Sequence, residues 1–238
     1  MTIAESEQPA SYTDFNSFFT RALKPDARKI IDNPGTIVCP VDGSVSQAGK
    51  IMDGKIFQAK GHEYTLGALV GGSQSLIGMF DNGCFATLYL SPKDYHRIHM
   101  PLAGTVLEMC YIPGRLYSVN EVSTQYVPGL FTRNERVVTL FDTEAGPMGL
   151  ILIGALFVSS IETVWAGDIA RLSRSKFQRW DYRHETEYPV KLRCGQEMGR
   201  FNMGSTVIVL FGAGRVSLAQ DITAGNTVRF GGLLGYYK

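Results

Sequence analysis

Short apolar runs, punctuated by Gly, Pro, Asn and Asp, set the strongest limit on how this chain can fold. The 238 residues include 26 glycines, and runs of this length bounded by turn residues are typical of β-strands. No repeat or linker divides the chain. We therefore predict one mainly β domain over residues 1–238, a compact sandwich or barrel with a few short helices. The predicted strands are Thr36–Val41, Phe85–Leu90, Ala103–Tyr111, Arg136–Phe141, Leu150–Val158 and Val207–Phe211.

Composition argues against several classes of protein. Hydrophobic residues make up 45% of the chain and charged residues 19%, which allows a packed core. A formal net charge of +1 gives no overall field that would attract nucleic acid, so we expect no nucleic-acid partner. The four cysteines are widely spaced and form no C-x-x-C pair, which indicates reduced thiols.

The sequence shows neither a membrane-spanning helix nor a secretory signal. Its most apolar segment, Gly149–Val158, is much shorter than the ~20 residues that cross a bilayer, and we predict a buried strand there. Residues Met1–Ser11 are polar and lack the basic start and apolar stretch of a signal peptide. The charged stretch Arg171–Gln196 predicts an exposed, irregular segment.

One amphipathic helix is predicted near the amino terminus. Its apolar residues recur at helical spacing, with Asp14 as the N-cap and Pro25 after the end. We favour packing of this face on the domain's own core; the alternative is contact with a membrane surface, flanked by Arg21 and Lys24. The apolar residues are Phe15, Phe18, Phe19, Ala22 and Leu23.

The step Gly204–Ser205, just before the strand Val207–Phe211, is a candidate for backbone chemistry. A serine hydroxyl held against the carbonyl of the preceding residue can attack it, and glycine gives the steric room for that geometry. Most Gly-Ser pairs are ordinary turns. The functional interpretation therefore needs a base elsewhere in the chain.

His96 and His99, two of the four histidines, supply that base. Imidazole can take a proton from a hydroxyl near neutral pH and return it later, so two neighbouring histidines suggest two proton-transfer roles. A shared metal ion is the weaker alternative, since no further ligand residue lies nearby at the usual spacing. We therefore predict no metal.

Asp42, in the turn Val41–Ser44, is the candidate for orienting a histidine. Asp-Gly is a common β-turn pair, and taken alone the turn interpretation is favoured. A carboxylate on a rigid turn can nevertheless hold an imidazole in the required tautomer.

These segments occur in the order found in phosphatidylserine decarboxylases, and the chain resembles that family from about Tyr12 to Phe211. Met203 stands where the family commonly has leucine, and fewer residues precede the first helix than in most bacterial members. The resemblance is carried by Pro40–Gly43, Asp94–Pro101, Gly204–Thr206, Phe15–Pro25, Pro113–Asn120, Leu130–Arg136 and Ser160–Trp165.

The resemblance implies a proenzyme that cuts itself and makes its cofactor from its own backbone. Ser205 would attack the Gly204 carbonyl, with His99 as base and Asp42 orienting it; elimination then gives a large chain, 1–204, and a small chain, 205–238. Ser205 would become a covalent pyruvoyl group, which acts as an electron sink for decarboxylation. His96 would protonate the carbon that loses carbon dioxide.

The resemblance also implies the partners and the place of action. The substrate would be phosphatidylserine in a membrane, reached from the cytoplasmic face by a peripherally attached protein. The large and small chains would stay together, and a homodimer is left open. Glu162, Asn134 and Arg133 stay outside the catalytic set, because charged and polar groups beside buried strands are as often structural.

Three other functions remain open at this point. A serine hydrolase would also use Asp42, His99 and Ser205, although the chain has no G-x-S-x-G elbow. A binding or carrier module would show neither cleavage nor carbonyl chemistry. A pyruvoyl decarboxylase acting on a non-lipid amino acid is the third, and the extent of the resemblance argues against it.

Overall fold

A computed structural model describes residues 2–59, 61–156, 160–173, 176–185, 187–202 and 205–238, with the backbone alone at residue 205. The described residues form a 3₁₀ turn at Pro9–Ser11 and the following elements. The helices are α1 (Phe15–Phe19), α2 (Leu66–Leu69), α3 (Gln74–Phe80), α4 (Glu121–Tyr126), α5 (Leu130–Arg133) and α6 (Ile169–Ser173). The strands are β1 (Thr36–Val38), β2 (Gly43–Lys50), β3 (Lys55–Ala59), β4 (His62–Thr65), β5 (Cys84–Leu90), β6 (Arg97–His99), β7 (Gly104–Ile112), β8 (Arg136–Thr143), β9 (Gly146–Ile153), β10 (Ser160–Thr163), β11 (Gly167–Asp168), β12 (Gln178–Asp181), β13 (Lys191–Leu192), β14 (Glu197–Asn202), β15 (Ser205–Phe211), β16 (Val216–Leu218), β17 (Thr227–Val228) and β18 (Leu233–Tyr237).

A nine-stranded antiparallel sheet forms the centre of the molecule. Its strand order is β12-β7-β8-β9-β15-β5-β2-β17, and β13 also pairs with β7. Strand β15 is bonded to β9 on one side and to β5 on the other over nearly its whole length. The start of β15, where Ser205 lies opposite Leu90, is thus fixed inside the sheet.

Both faces of this sheet are buried, because the side chains of a strand alternate between them. On β15, Val207, Val209 and Phe211 enter one apolar core, while Ile208 and Leu210 enter another. Smaller sheets, β1-β18-β16 and β11-β10-β14-β6, accompany the large one, and β3 pairs with β4. The predicted mainly β single domain is confirmed; the sheets do not close into a barrel.

The structure corrects three predicted segments. The strand predicted at Leu150–Val158 ends at Ile153, Leu156 is exposed, and residues 157 and 158 lie outside the described residues. Helix α1 ends at Phe19, four residues before Leu23, which instead bridges to Ala4. The stretch 171–196 is not simply irregular, because its strands β12 and β13 extend the large sheet along β7. Buried Glu108 on β7 binds Arg179 and Arg183 at 2.6 Å each, which attaches this charged segment to the sheet.

Candidate active site

Strand pairing brings the histidine block next to the strand that leads to the candidate cleavage step. Strand β6 pairs with β14, where Glu197 lies opposite His99 and Arg200 lies opposite Arg97. The N–H of Phe201 also donates to the carbonyl of His96 at 3.2 Å. Residues about a hundred positions apart in the chain therefore lie on adjacent strands.

His99 is buried and has a partner on each ring nitrogen. Its Nδ1 lies 2.8 Å from the carbonyl oxygen of Gly195, and its Nε2 lies 2.9 Å from the hydroxyl oxygen of Tyr95. Because a carbonyl can only accept, Nδ1 carries the hydrogen and Nε2 is the basic atom. Burial lowers the pKa of His99, which keeps the ring uncharged near neutral pH.

Asp42 lies close to His99 but binds other groups. Its Oδ1 accepts a hydrogen bond of 2.9 Å from the backbone N–H of Phe230, and Arg28 forms an ion pair with its carboxylate. The ring of Phe230 stacks on the ring of His99, with 3.7 Å between centroids and 17° between planes. The direct bond from Asp42 to His99 that we expected is not formed, because Gly195 occupies Nδ1. Asp42 reaches His99 through Phe230.

Gly43 explains why the turn after Asp42 needs glycine. A Cβ at this position would lie 2.2 Å from the carbonyl oxygen of Tyr89 on β5, much closer than packed atoms can approach. Only glycine lets β2 begin this close to β5, which places Asp42 at the end of the sheet beside the histidines.

His96 is enclosed more completely than His99, with 0% of its surface exposed. Its Nδ1 lies 2.8 Å from the carbonyl oxygen of Asp94, and Phe19 of α1 covers the ring with 4.0 Å between centroids. Its Nε2 has no hydrogen-bond partner within the described part of the chain. Burial lowers the pKa of His96 to about 4, so the ring is uncharged at neutral pH.

Gly204 and Met203 lie outside the described residues, and so does the Ser205 side chain. The backbone of Ser205 is the first residue of β15. On the other side, Asn202 ends β14, and its amide group donates to Ser160 Oγ at 2.7 Å and to Glu162 Oε1 at 2.6 Å. The chain is thus held by a polar network before the candidate cleavage step and by the central sheet after it.

The residues kept outside the catalytic set have structural contacts. Glu162 also binds Arg200 at 2.7 Å, across strands β10 and β14. The buried Asn134 side chain donates to the carbonyls of Tyr117 and Gly154, each at 2.8 Å. The Arg133 side chain stacks on the ring of Tyr117 with 4.8 Å to its centroid.

The structure adds residues that sequence reasoning missed: Tyr95, Arg28 and Phe230. Tyr95 lies inside the histidine block, four residues before His99, so a hydroxyl donor near the base could have been proposed from the sequence. Arg28 and Phe230 reach the site through contacts distant in sequence, and no local pattern points to them.

A cavity of about 410 Å³ opens beside β2, β5 and α4. Its lining residue Tyr89 pairs with Thr206, the neighbour of Ser205 on β15. None of the described residues that line it is Lys or Arg. It is lined by Ser44, Val45, Ser46, Gln47, Ala59, Tyr89, Val119, Glu121, Thr124, Gln125, Ala224 and Gly225.

Within the described residues, no group of three or more His, Cys, Asp or Glu side chains is arranged to hold a metal ion. Among the helices described, none has both the length and the apolar character to span a membrane.

Comparison with known proteins decides the family. The sequence profile of phosphatidylserine decarboxylases matches residues 15–236, which include the histidine block and the Gly-Ser step. This chain belongs to the phosphatidylserine decarboxylase family. Three similar relatives are each named phosphatidylserine decarboxylase proenzyme. The protein of Ectopseudomonas mendocina is 54% identical over 99% of this chain and 82% of its own length. The Pseudomonas entomophila protein is 54% identical over 98% and 81%, and the Azotobacter vinelandii protein 53% identical over 96% and 80%.

Proposed function

We propose that this protein is a phosphatidylserine decarboxylase made as a proenzyme, which converts phosphatidylserine to phosphatidylethanolamine and carbon dioxide. The observation that carries the proposal is identity of 54% over 99% of the chain with a relative of that name. The pairing of β6 with β14 supports it, because it brings two uncharged histidines beside the strand that leads to the Gly-Ser step.

In the proposed self-cleavage, Ser205 attacks the carbonyl of Gly204 and His99 removes the hydroxyl proton at Nε2. A base must be unprotonated before it acts, and the lowered pKa of His99 satisfies this condition at neutral pH. Arg28 and Asp42 hold Phe230 against the ring of His99. The products are a large chain, 1–204, and a small chain, 205–238.

We further propose that Ser205 becomes a pyruvoyl group, which supplies an electron sink for the loss of the substrate carboxylate. His96 Nε2 has no hydrogen-bond partner among the described residues and is buried beside the strand that leads to this position, which fits a site with a second proton-transfer step. Since the pKa of His96 is about 4, this nitrogen carries no proton at neutral pH. His96 must therefore take a proton first, for which the substrate's ammonium group is a source, and then deliver it to the carbon that lost carbon dioxide.

We also propose that the protein attaches to a membrane, because its proposed substrate is a membrane lipid. Helix α1 presents Phe15 with 61% of its surface exposed, and the Arg21 guanidinium lies 5.1 Å from the ring centroid of Phe18. An apolar side chain near cations suits an anionic lipid surface. We propose peripheral attachment at the cytoplasmic face of the cell membrane; a homodimer stays a prediction.

Intact-mass analysis under denaturing conditions tests the proposal. The expected result is a small chain of residues 205–238, lighter by one ammonia than the same chain with a free serine, together with carbon dioxide release from phosphatidylserine vesicles. An intact chain that hydrolyses esters would favour the serine hydrolase instead. A cut chain that decarboxylates free amino acids but not the lipid would place the protein among the non-lipid pyruvoyl enzymes.

A further inference from the structure

The basic nitrogen of His99 is occupied by a phenol. The Tyr95 hydroxyl lies 2.9 Å from Nε2, and both residues are buried. Burial raises the pKa of Tyr95 further above its normal value, so the phenol keeps its hydrogen at neutral pH. With Nδ1–H directed at the Gly195 carbonyl, the hydroxyl of Tyr95 is the donor and Nε2 the acceptor.

The His99 ring cannot easily turn away from this phenol. Phe230 covers one ring face at 3.7 Å, the Tyr95 ring lies 5.6 Å away at 27°, and the Gly195 carbonyl holds Nδ1. Turning the ring would leave buried polar atoms without hydrogen-bond partners, which is unfavourable. A proton that arrives at Nε2 therefore comes most directly through the hydroxyl already bonded to it.

We propose that Tyr95 is a catalytic residue of self-cleavage that relays the proton of Ser205 to His99. This inference rests on the proposed role of His99 as base. The Tyr95 oxygen accepts the proton from Ser205 as its own proton passes to Nε2. The O–H bonds of Ser205 and Tyr95 break, a new O–H bond forms on Tyr95, and an N–H bond forms on His99. Tyr95 ends neutral, His99 ends as imidazolium, and the serine oxygen keeps the electron pair for its attack on Gly204.

The first test is the rate at which newly translated chain is cut, followed by gel electrophoresis after a translation pulse. Tyr95→Phe removes the relaying hydroxyl and should slow cleavage by roughly 10²-fold or more, the usual contribution of a positioned acid or base. Tyr64→Phe is the matched control: it removes a hydroxyl from an equally buried tyrosine in the other core and should cut at the wild-type rate.

A second variant separates relay from positioning. Replacing Tyr95 by 3,5-difluorotyrosine keeps the ring and the hydrogen bond but makes the phenol more acidic. If Tyr95 relays the proton, this substitution should change the cleavage rate by several-fold, and the solvent deuterium isotope effect on cleavage should correspond to two protons in motion. An unchanged rate with an isotope effect that corresponds to one proton overturns the relay. If Tyr95→Phe does not fold, the fluorinated protein decides alone.

The same assay keeps this inference distinct from the proposed function. Suppose that the wild-type chain is cut, that His99→Ala is not, and that Tyr95→Phe is cut at the wild-type rate. This result rejects the relay and leaves His99 as the base. A wild-type chain that is never cut rejects the proposed function and the relay with it.

Discussion

His96 and His99 are three residues apart, and the structure gives them different surroundings. His99 has partners on both nitrogens and an aromatic ring against its face, whereas the Nε2 of His96, beneath Phe19, has no partner in the part of the chain that the structure describes. A fixed base suits a reaction within the chain. A nitrogen held without a partner suits a group that arrives later, as the substrate does.

Substitution should separate the two histidines. We expect His99→Ala to leave mainly uncut chain, with cleavage slowed by roughly 10²- to 10⁴-fold, because the basic nitrogen is lost. His96→Ala should be cut normally and lose decarboxylation by a similar factor, and Ser205→Ala should lose both reactions. Mass analysis and carbon dioxide release measure the two steps. An uncut His96→Ala chain would show that the roles are assigned wrongly.

Asp42 should act on cleavage through its contacts with Arg28 and Phe230. Asp42→Asn keeps an oxygen for the Phe230 N–H but removes the charge that pairs with Arg28. We expect mainly uncut chain by mass analysis. Glu144→Gln is the control and should be cut normally. It changes a carboxylate that accepts an exposed hydrogen bond of 2.7 Å from the Tyr237 hydroxyl.

The buried His96 should also make the protein sensitive to acid. Between pH 6.5 and about 4 the unfolded chain binds a proton at this residue that the folded protein does not, so stability falls as the pH falls. From pH 7 to pH 5 this loss is about 2 kcal/mol. In the uncut Ser205→Ala background, the free energy of unfolding by guanidinium should fall by about 2 kcal/mol less between these pH values when His96 is replaced by Gln. The exposed His184→Gln is the control, and an equal loss in both variants contradicts the prediction.

At the scale of elements, α1 joins three parts of the site. Phe19 packs on His96, the Thr20 carbonyl accepts a bond of 2.8 Å from Arg97 Nε, and Asn16 donates to Asn202 Oδ1 at 3.2 Å. The helix therefore contacts the histidine strand and the strand before the cleavage step together. The preferred interpretation, that its apolar face packs on the domain, holds for Phe19, while Phe15 points to solvent.

Removing the cover from His96 should alter its titration. Phe19→Ala admits water to the ring, and we expect the pKa of His96 to rise from about 4 toward its normal value. It should also lower the free energy of unfolding by about 3 kcal/mol, as for other buried Phe→Ala changes. Nuclear magnetic resonance titration of the uncut Ser205→Ala background measures the pKa. Phe15→Ala, on the exposed face, should change neither quantity appreciably.

At the scale of the whole molecule, sequence patterns predicted the fold class better than the assembly of the site. Apolar runs bounded by glycine and other turn residues located β5, β7, β8 and β15 within a few residues, because the burial of a strand's side chains shows directly in the local sequence. The predicted first helix is longer than α1, because Ala22 and Leu23 continue the helical spacing of apolar residues although the backbone leaves the helix after Phe19. Long-range contacts decided the rest. Phe230 stacks on His99 although the two residues are more than a hundred positions apart, and no local sequence pattern predicts this contact.

The cut protein should remain one particle. The small chain would include β15 at the centre of the large sheet, β17 at its edge, and β16 and β18 in a second sheet. Native gel electrophoresis should show both chains in a single band, whereas denaturant should release a 205–238 fragment. Loss of the small chain under native conditions would contradict this arrangement of strands.

The central position of β15 changes the thermodynamics of unfolding after the cut. Before it, folding and unfolding are unimolecular, and the melting temperature does not depend on how much protein is present. Afterwards, removing β15 from between β9 and β5 separates two molecules, so refolding becomes an association governed by mass action. A dilute sample of the mature protein then melts at a lower temperature than a concentrated one, and a single broken peptide bond converts stability into a function of concentration.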